Sequence, residues 1–357
     1  MGGRSVPLSS TAYSSKSLKI DYLRGLFAIF VAVGHLYDMA RLNSNASGWL
    51  DVPRSLFGTN WVIGFVVISG FLIESSVEGM LRRGVGVAWY VKARVTRIAP
   101  LYYFGLAAAL SVEWLGTLAF GLNARPAYWQ PGAPHVIVGQ LLMLQNVLIG
   151  VGTFGAFAAT STVAFEVWYY CLWAIRIKLL RRHSLPLFLL VAVLVVTRKI
   201  EWKLTSDFCQ FWGYWLIGAY AFHYRQVLTS LRVVRSLGRC SYVLVALFMS
   251  SYLFFPAPVV AGKYWLLAVL FALCLLKEES SAPSPLSRSA GGLLGDASYP
   301  VFIWHGPVGI LTAWALNAFG AQDFYVRYAT LLGATAVVSL ILVFTFERPL
   351  MKWRRHV

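Results

Sequence analysis

Apolar runs and short polar breaks alternate along the whole chain, and the runs are too long for the core helices of a small soluble domain. Read against Gly, Pro and charged punctuation, they predict about ten membrane-crossing helices. These lie near 20–40, 58–77, 99–119, 161–178, 186–200, 208–223, 240–256, 261–276, 297–317 and 326–346. Several fall short of the ~20 residues that a perpendicular span needs, so their boundaries are soft by a few residues. The segment 136–149 is also apolar but short, and it carries Gln140, Gln145 and Asn146. It reads as a re-entrant or interfacial piece, because backbone and amide groups at membrane depth must find protein partners. No internal repeat or second soluble domain is visible.

Composition sharpens this picture. Charged residues make up 13% of the chain and hydrophobic ones 58%, with mean hydropathy +0.65, whereas soluble domains carry about 25% charged residues. The 14 Trp, 18 Tyr and 23 Phe give material for aromatic belts. A net charge of +17 could mark a nucleic-acid binder. The basic residues instead fall in short clusters between apolar runs, so no nucleic-acid partner is expected. With both termini cytoplasmic, 23 of the 31 Lys and Arg fall on the inner side and 8 on the outer. Counting 136–149 as a full span would move the Arg176–Arg182 cluster outside and spoil that asymmetry. The expected fold is therefore an all-α polytopic membrane protein of about ten transmembrane helices. Residues 1–18 form a polar tail without a leader-like apolar core, 19–350 the membrane domain and 351–357 a basic tail. The first run is expected to stay as a signal-anchor. Cys171, Cys209, Cys240 and Cys274 lie in or beside apolar runs with no metal-ligand spacing, so they read as packing residues and no metal is expected.

Ionisable groups inside apolar runs are costly and draw attention to function. Arg24 and His35 are eleven residues apart on the first run, which puts them on one helical face, with an axial gap of roughly 16 Å. Arg24 alone could be a positive-inside anchor and His35 alone a helix-to-helix hydrogen bond. Together, bracketed by Asp21 and Asp38, they suggest a charged ligand held at the surface and proton or group transfer deeper in. Arg94 and Arg97 share a face just before Pro100, which reads as a helix boundary. Two guanidiniums there suit phosphates, or else lipid headgroups. Glu166 in the fourth run needs a cation or a His as partner, and Tyr169 and Tyr170 follow it as packing residues with polar tips. His305 is a second intramembrane imidazole, set among Pro300, Gly306 and Pro307, which can open the backbone. Glu347 and Arg348 read as a terminal ion pair. His135, His183, His223 and His356 have no in-phase partner and read as solvated.

These motifs, taken in order, resemble the acyltransferase-3 family of membrane O-acyltransferases, which includes O-antigen and exopolysaccharide O-acetylases. Asp21-Tyr-Leu-Arg24-Gly with His35 resembles the family's Arg-x10-His signature, and Ser69-Gly-Phe-Leu-Ile its Ser-Gly-Phe-Leu element. Arg94-x-x-Arg97-x-x-Pro100, Glu166 with Tyr169-Tyr170, Ser298-Tyr299 with His305, and Glu347-Arg348-Pro349 complete the set. Two departures stand out: Phe65-Val66 where the family has Phe-Phe, and Ser161-Thr-Val where it has Trp-Ser-Leu. The resemblance implies acyl-CoA, most simply acetyl-CoA, as cytoplasmic donor substrate, with no permanently bound cofactor. It implies a carbohydrate or lipid-linked glycan hydroxyl as acceptor, and a bacterial inner membrane as location. Arg24, Arg94 and Arg97 would hold the nucleotide end of the donor. Its arm would run along the first helix to His35, the base or acyl carrier, whose tautomer Glu166 or His305 would set. Ser69, Asp38, Tyr169 and Tyr170 are the expected acceptor contacts. Intramembrane Arg, His and Glu equally suit a proton-coupled transporter or flippase of a small anion or lipid-linked sugar, and a structural role in an export complex is a third reading.

Overall fold

The computed structural model describes residues 10–42, 44, 56–121, 133–180, 205–254, 262–277 and 284–354, and these form helices joined by turns. In chain order the helices are α1 (Ser10–Leu42), α2 (Thr59–Arg82), α3 (Val87–Phe120), α4 (Pro134–Leu141), a 3-10 turn (Gly155–Thr160), α5 (Ser161–Leu180) and α6 (Ser206–His223). There follow α7 (Arg225–Ser230), α8 (Arg232–Phe254), α9 (Lys263–Leu276), α10 (Pro285–Ala318), α11 (Phe324–Leu342) and α12 (Arg348–Arg354), the last two joined by a π turn. Among the described residues, six stretches are long and apolar enough to cross a membrane: Leu18–Leu42, Asn60–Arg82, Val87–Phe120, Arg232–Ser251, Leu286–Ala318 and Phe324–Arg354. Helices α5, α6 and α9 match three further expected spans, and the expected span 186–200 lies outside the described residues.

Several boundaries differ from expectation, and each has a physical cause. The first helix starts at Ser10, inside the polar tail. Pro100 does not end a helix: α3 runs through it from Val87 to Phe120. Its missing N–H frees only one carbonyl, a loss an apolar helix tolerates. The segment 136–149 resolves into an eight-residue α4 and a series of turns. At about 1.5 Å per residue, α4 is far too short to span a bilayer. Its turns are tied down by buried amides: Gln145 Nε2 donates to Tyr102 Oη at 2.8 Å, and Tyr102 Oη to the Gln140 carbonyl at 2.8 Å. Both glutamines are fully buried.

Cross-helix contacts give the directions. Tyr22 meets Ser287 and His35 meets His305, so α1 and α10 run parallel. They lie close together. A Cβ on Gly25 would stand 2.6 Å from Leu294 Cβ, and one on Gly295 would stand 2.8 Å from Asp21 Cβ, so only glycine permits this approach. Helix α3 runs with them, since Gly105 faces Ile303 and Gly116 faces Trp314. Helix α2 runs opposite to α1, since Gly34 faces Gly58 and Gly64 faces Phe27, and α5 and α6 run with α2: Ser69 meets Tyr170 and Trp215, and Glu74 meets Arg176 and His223. The end of the bundle where α1 and α10 begin and α2, α5 and α6 finish is rich in Arg and Lys. We refer to it as the basic end.

Candidate active site

A cleft with about 690 Å³ of atom-free space is walled by α2, α3, α5 and α10. Helix α1 adds Arg24 alone, because the rest of its inner face is sealed against α10. The helix directions order the walls. Ile73, Arg94 and Tyr170 lie toward the basic end; Ser69, Arg97, Glu166 and Ser298 follow; Phe65, Thr162, Val163 and Phe302 form the deep end. Three guanidiniums against one carboxylate leave this lining cationic. An anionic group such as a phosphate within hydrogen-bonding range of these guanidiniums would complete such a set.

Hydrogen bonds fix much of the wall. Ser69 Oγ and Tyr170 Oη are 2.9 Å apart, Tyr170 Oη donates to Glu166 Oε2 at 3.2 Å, and Trp215 Nε1 donates to Ser69 Oγ at 3.3 Å. Arg94 donates one terminal nitrogen to Ser76 Oγ at 2.6 Å and lies over the Tyr90 ring, 5.5 Å from its centre. Arg94 Nε, Thr162 Oγ1 and Tyr299 Oη are buried on this lining without a hydrogen-bond partner.

Beyond the deep end sits an imidazole pair. His35 Nδ1 and His305 Nε2 are 2.9 Å apart, with the rings stacked at a centroid distance of 5.1 Å. His305 is fully buried, and its Nδ1 lies 3.0 Å from the Val301 carbonyl. A carbonyl only accepts, so His305 Nδ1 carries a proton toward it. In the neutral pair, His305 Nε2 then accepts from His35 Nδ1–H, and Nε2 of His35 keeps the lone pair. Phe302 separates this pair from the cleft: its ring lies 6.1 Å from that of His305 and packs edge-on against Phe65 at 5.3 Å. From Phe302 to His305 the axial rise is about 4.5 Å.

The structure therefore brings the sequence-predicted residues into two groups. Arg24, Arg94, Arg97, Glu166, Ser69 and Tyr170 share the cleft, while His35 and His305 form the pair behind it. The partner of His35 is His305; Glu166 makes its contacts in the cleft, where it accepts from Tyr170 Oη and α5 packs against α2 and α3. The first helix gives the cleft lining only Arg24; the other walls come from α2, α3, α5 and α10. Tyr169 is fully buried and donates to the Phe208 carbonyl at 2.7 Å, a packing role. Asp38 lies about one turn past His35, half-buried and away from the cleft lining. Arg348 pairs with Asp296 at 2.9 Å and not with Glu347. His223 is not solvated by default: its Nδ1 lies 2.8 Å from Glu74 Oε1. Glu74 also accepts from Arg176 and Trp173 Nε1, each at 3.0 Å. Sequence reading passed over Glu74, and it met Thr162 and Tyr299 only inside motifs, without a role of their own. A carboxylate five residues past Ser69 in an apolar run was the one available signal. Among the described residues no group of His, Cys, Asp or Glu could hold a metal ion.

A family model described as an acyltransferase domain matches residues 17–347, nearly the whole chain. No curated protein and no solved structure matches the chain.

Proposed function

The chain belongs to the acyltransferase-3 family, and from that premise we propose that it moves an acyl group, acetyl in the simplest case, from cytoplasmic acyl-CoA to a hydroxyl of a cell-surface or exported carbohydrate. The coarse statement, a multi-pass membrane acyltransferase, follows from the family and the apolar helices. The finer one rests on a single observation: guanidiniums from α1 and α3 converge on a cleft whose deep end lies about one helical turn from an imidazole pair. On this reading the basic end faces the cytoplasm of a bacterial inner membrane.

Arg24, Arg94 and Arg97 bind the donor's phosphates, for which forked, permanently charged donors are suited. Glu166 keeps Arg24 and Arg97 oriented before the donor arrives. The thioester arm fills the deeper cleft and passes the Phe65–Phe302 contact to reach His35. The acceptor hydroxyl gives its proton to His35 Nε2 as its oxygen attacks the thioester carbonyl. The carbon–sulfur bond breaks, the thiolate leaves, and the proton on His35 returns to it. His305 orients the ring and shares the imidazolium charge as it forms, as a base's hydrogen-bonded partner does. His305 is thus a positioning residue.

Incubating the purified, reconstituted protein with labelled acetyl-CoA and a glycan acceptor tests this directly. The expected result is thiol release coupled to label in the glycan, lost in His35→Ala, with no labelled protein when donor is added alone. Label on the protein would make His35 an acyl carrier. Flux of an intact substrate without thiol release would make the protein a transporter, and undiminished transfer by His35→Ala would remove its role.

A further inference from the structure

A separate groove opens at the basic end, between the start of α8 and the end of α9, and shares no lining residue with the cleft. It holds about 470 Å³ of atom-free space and is lined by Arg235, Arg239 and Lys277, with Val234 and Leu276 beside them. Among the described residues no carboxylate lines it or pairs with any of the three cations. Neutral groups hold them instead. Arg235 donates to the Ser230 carbonyl at 3.2 Å, and Lys277 Nζ stands 4.4 Å from the centre of the Tyr242 ring. The carbonyl end of a helix such as α9 ordinarily repels an anion. Here Lys19 Nζ donates to the Leu275 and Lys277 carbonyls, so that end is covered by a further cation. Like charges gathered around a groove, with no carboxylate among them, suit a phosphate.

The helix that carries the two arginines indicates the kind of phosphate. Arg235 and Arg239 are one turn apart on α8 and Arg232 precedes them by three, so all three share one face. Continuing by fours, Val243 and Leu247 come next along that face, and both are exposed. Helix α8 is long and apolar enough to cross a membrane. From Arg235 to Leu247 the axial rise is about 18 Å, so a headgroup held at the arginines leaves its chain beside the apolar pair. Val233 and Leu237, exposed between the arginines, add the mixed character of a segment at the membrane surface. We propose that this groove binds the phosphodiester headgroup of an anionic membrane lipid, with an acyl chain lying along Val243 and Leu247. A free phosphate matches the cations and gains nothing from the apolar continuation. The site stands apart from the cleft and does not depend on the donor reading.

Titrating dioleoyl-phosphatidylglycerol into the full-length protein in a non-ionic detergent, with native mass spectrometry as readout, tests the site. The first lipid is expected to bind saturably, and dioleoyl-phosphatidylcholine, with the same chains and a cationic choline, more weakly. Each cation near an anionic headgroup is worth about a five-fold change in affinity, so Arg235→Gln/Arg239→Gln should weaken phosphatidylglycerol about thirty-fold. The matched variant Arg83→Gln/Arg288→Gln removes the same charge from exposed positions elsewhere at the basic end and should bind as the parent does. Arg235 and Arg239 are exposed too, so both variants are expected to fold. Equal weakening in the two variants would mean attraction to surface charge in general and overturns the site. Equal affinity for phosphatidylcholine overturns the anionic headgroup. Displacement of phosphatidylglycerol by glycerol 3-phosphate at comparable concentration would make the occupant a soluble phosphate and overturns the lipid.

Discussion

Two faces of α2 border buried charge toward the basic end, and the two surroundings solve the problem of intramembrane charge in opposite ways. On one face Glu74 is saturated: Arg176, Trp173 and His223 all bond its oxygens, and the Arg176 guanidinium also lies 4.0 Å over the Trp173 ring. On the other, Ser69 and Ile73 look into a cleft whose arginines outnumber its carboxylate and whose wall keeps three unpaired polar atoms. Space does not separate the two. The cavity beside Glu74 and Arg225 holds about 840 Å³ of atom-free space, more than the 690 Å³ of the cleft. Pairing does. A saturated ion cluster fixes helices, while unspent donors mark where a ligand's charge and hydrogen bonds are awaited.

Substitutions can break this contrast, and the largest effect belongs to the nitrogen behind the cleft. His35→Ala should lower the rate of transfer by about 10²–10⁴-fold, the range for a general base, with donor affinity and thermal stability near those of the parent. Glu74→Gln comes next and works on stability. It leaves Arg176, whose side chain is 7% exposed, buried without its carboxylate. The expected loss is about 3–5 kcal/mol, seen as a lower unfolding midpoint. The KM for acyl-CoA of the protein that remains folded should stay within about two-fold of the parent, as for a purely structural change.

Arg97→Ala should do the converse. Loss of one charged hydrogen bond to the donor is worth about 1.5–3 kcal/mol, so KM for acyl-CoA should rise about 10–100-fold with little change in stability. The smallest effect is expected at Arg225, which pairs with Glu78 at 2.8 Å while both side chains remain partly exposed. Arg225→Ala should cost no more than ~1 kcal/mol by thermal unfolding. Should Glu74→Gln raise KM as strongly as Arg97→Ala does, the division between fixing and binding clusters fails.

How much of this was legible before the structure varied with the kind of signal. Helix positions were readable because hydropathy is a local property: α2, α5, α6 and α9 each fall within a few residues of the runs that announced them. Their ends were not, since several helices continue past the apolar stretch into polar turns at the basic end, and Pro100 sits inside α3 without stopping it. Arg24, Arg94, Arg97 and Glu166 were visible as charges where charge is costly, and they do share one cleft. Which imidazole partners which carboxylate was hidden. It depends on α1 lying so close to α10 that His35 meets His305, while Glu166 on α5 bonds Tyr170 inside the cleft. Nothing in the local sequence encodes that adjacency. The glycines at 25, 291, 295 and 309, each against the facing helix, are its trace.

The account turns on a division of labour in which the arginine cleft binds the donor and His35 transfers its acyl group. Titration of acetyl-CoA into parent, His35→Ala and Arg94→Ala/Arg97→Ala proteins tests that division most directly. The account predicts that His35→Ala binds acetyl-CoA with the parent's affinity and that the double arginine variant loses at least about 100-fold. Parent-like binding by the arginine variant, or loss of binding in His35→Ala with the arginines intact, would contradict it.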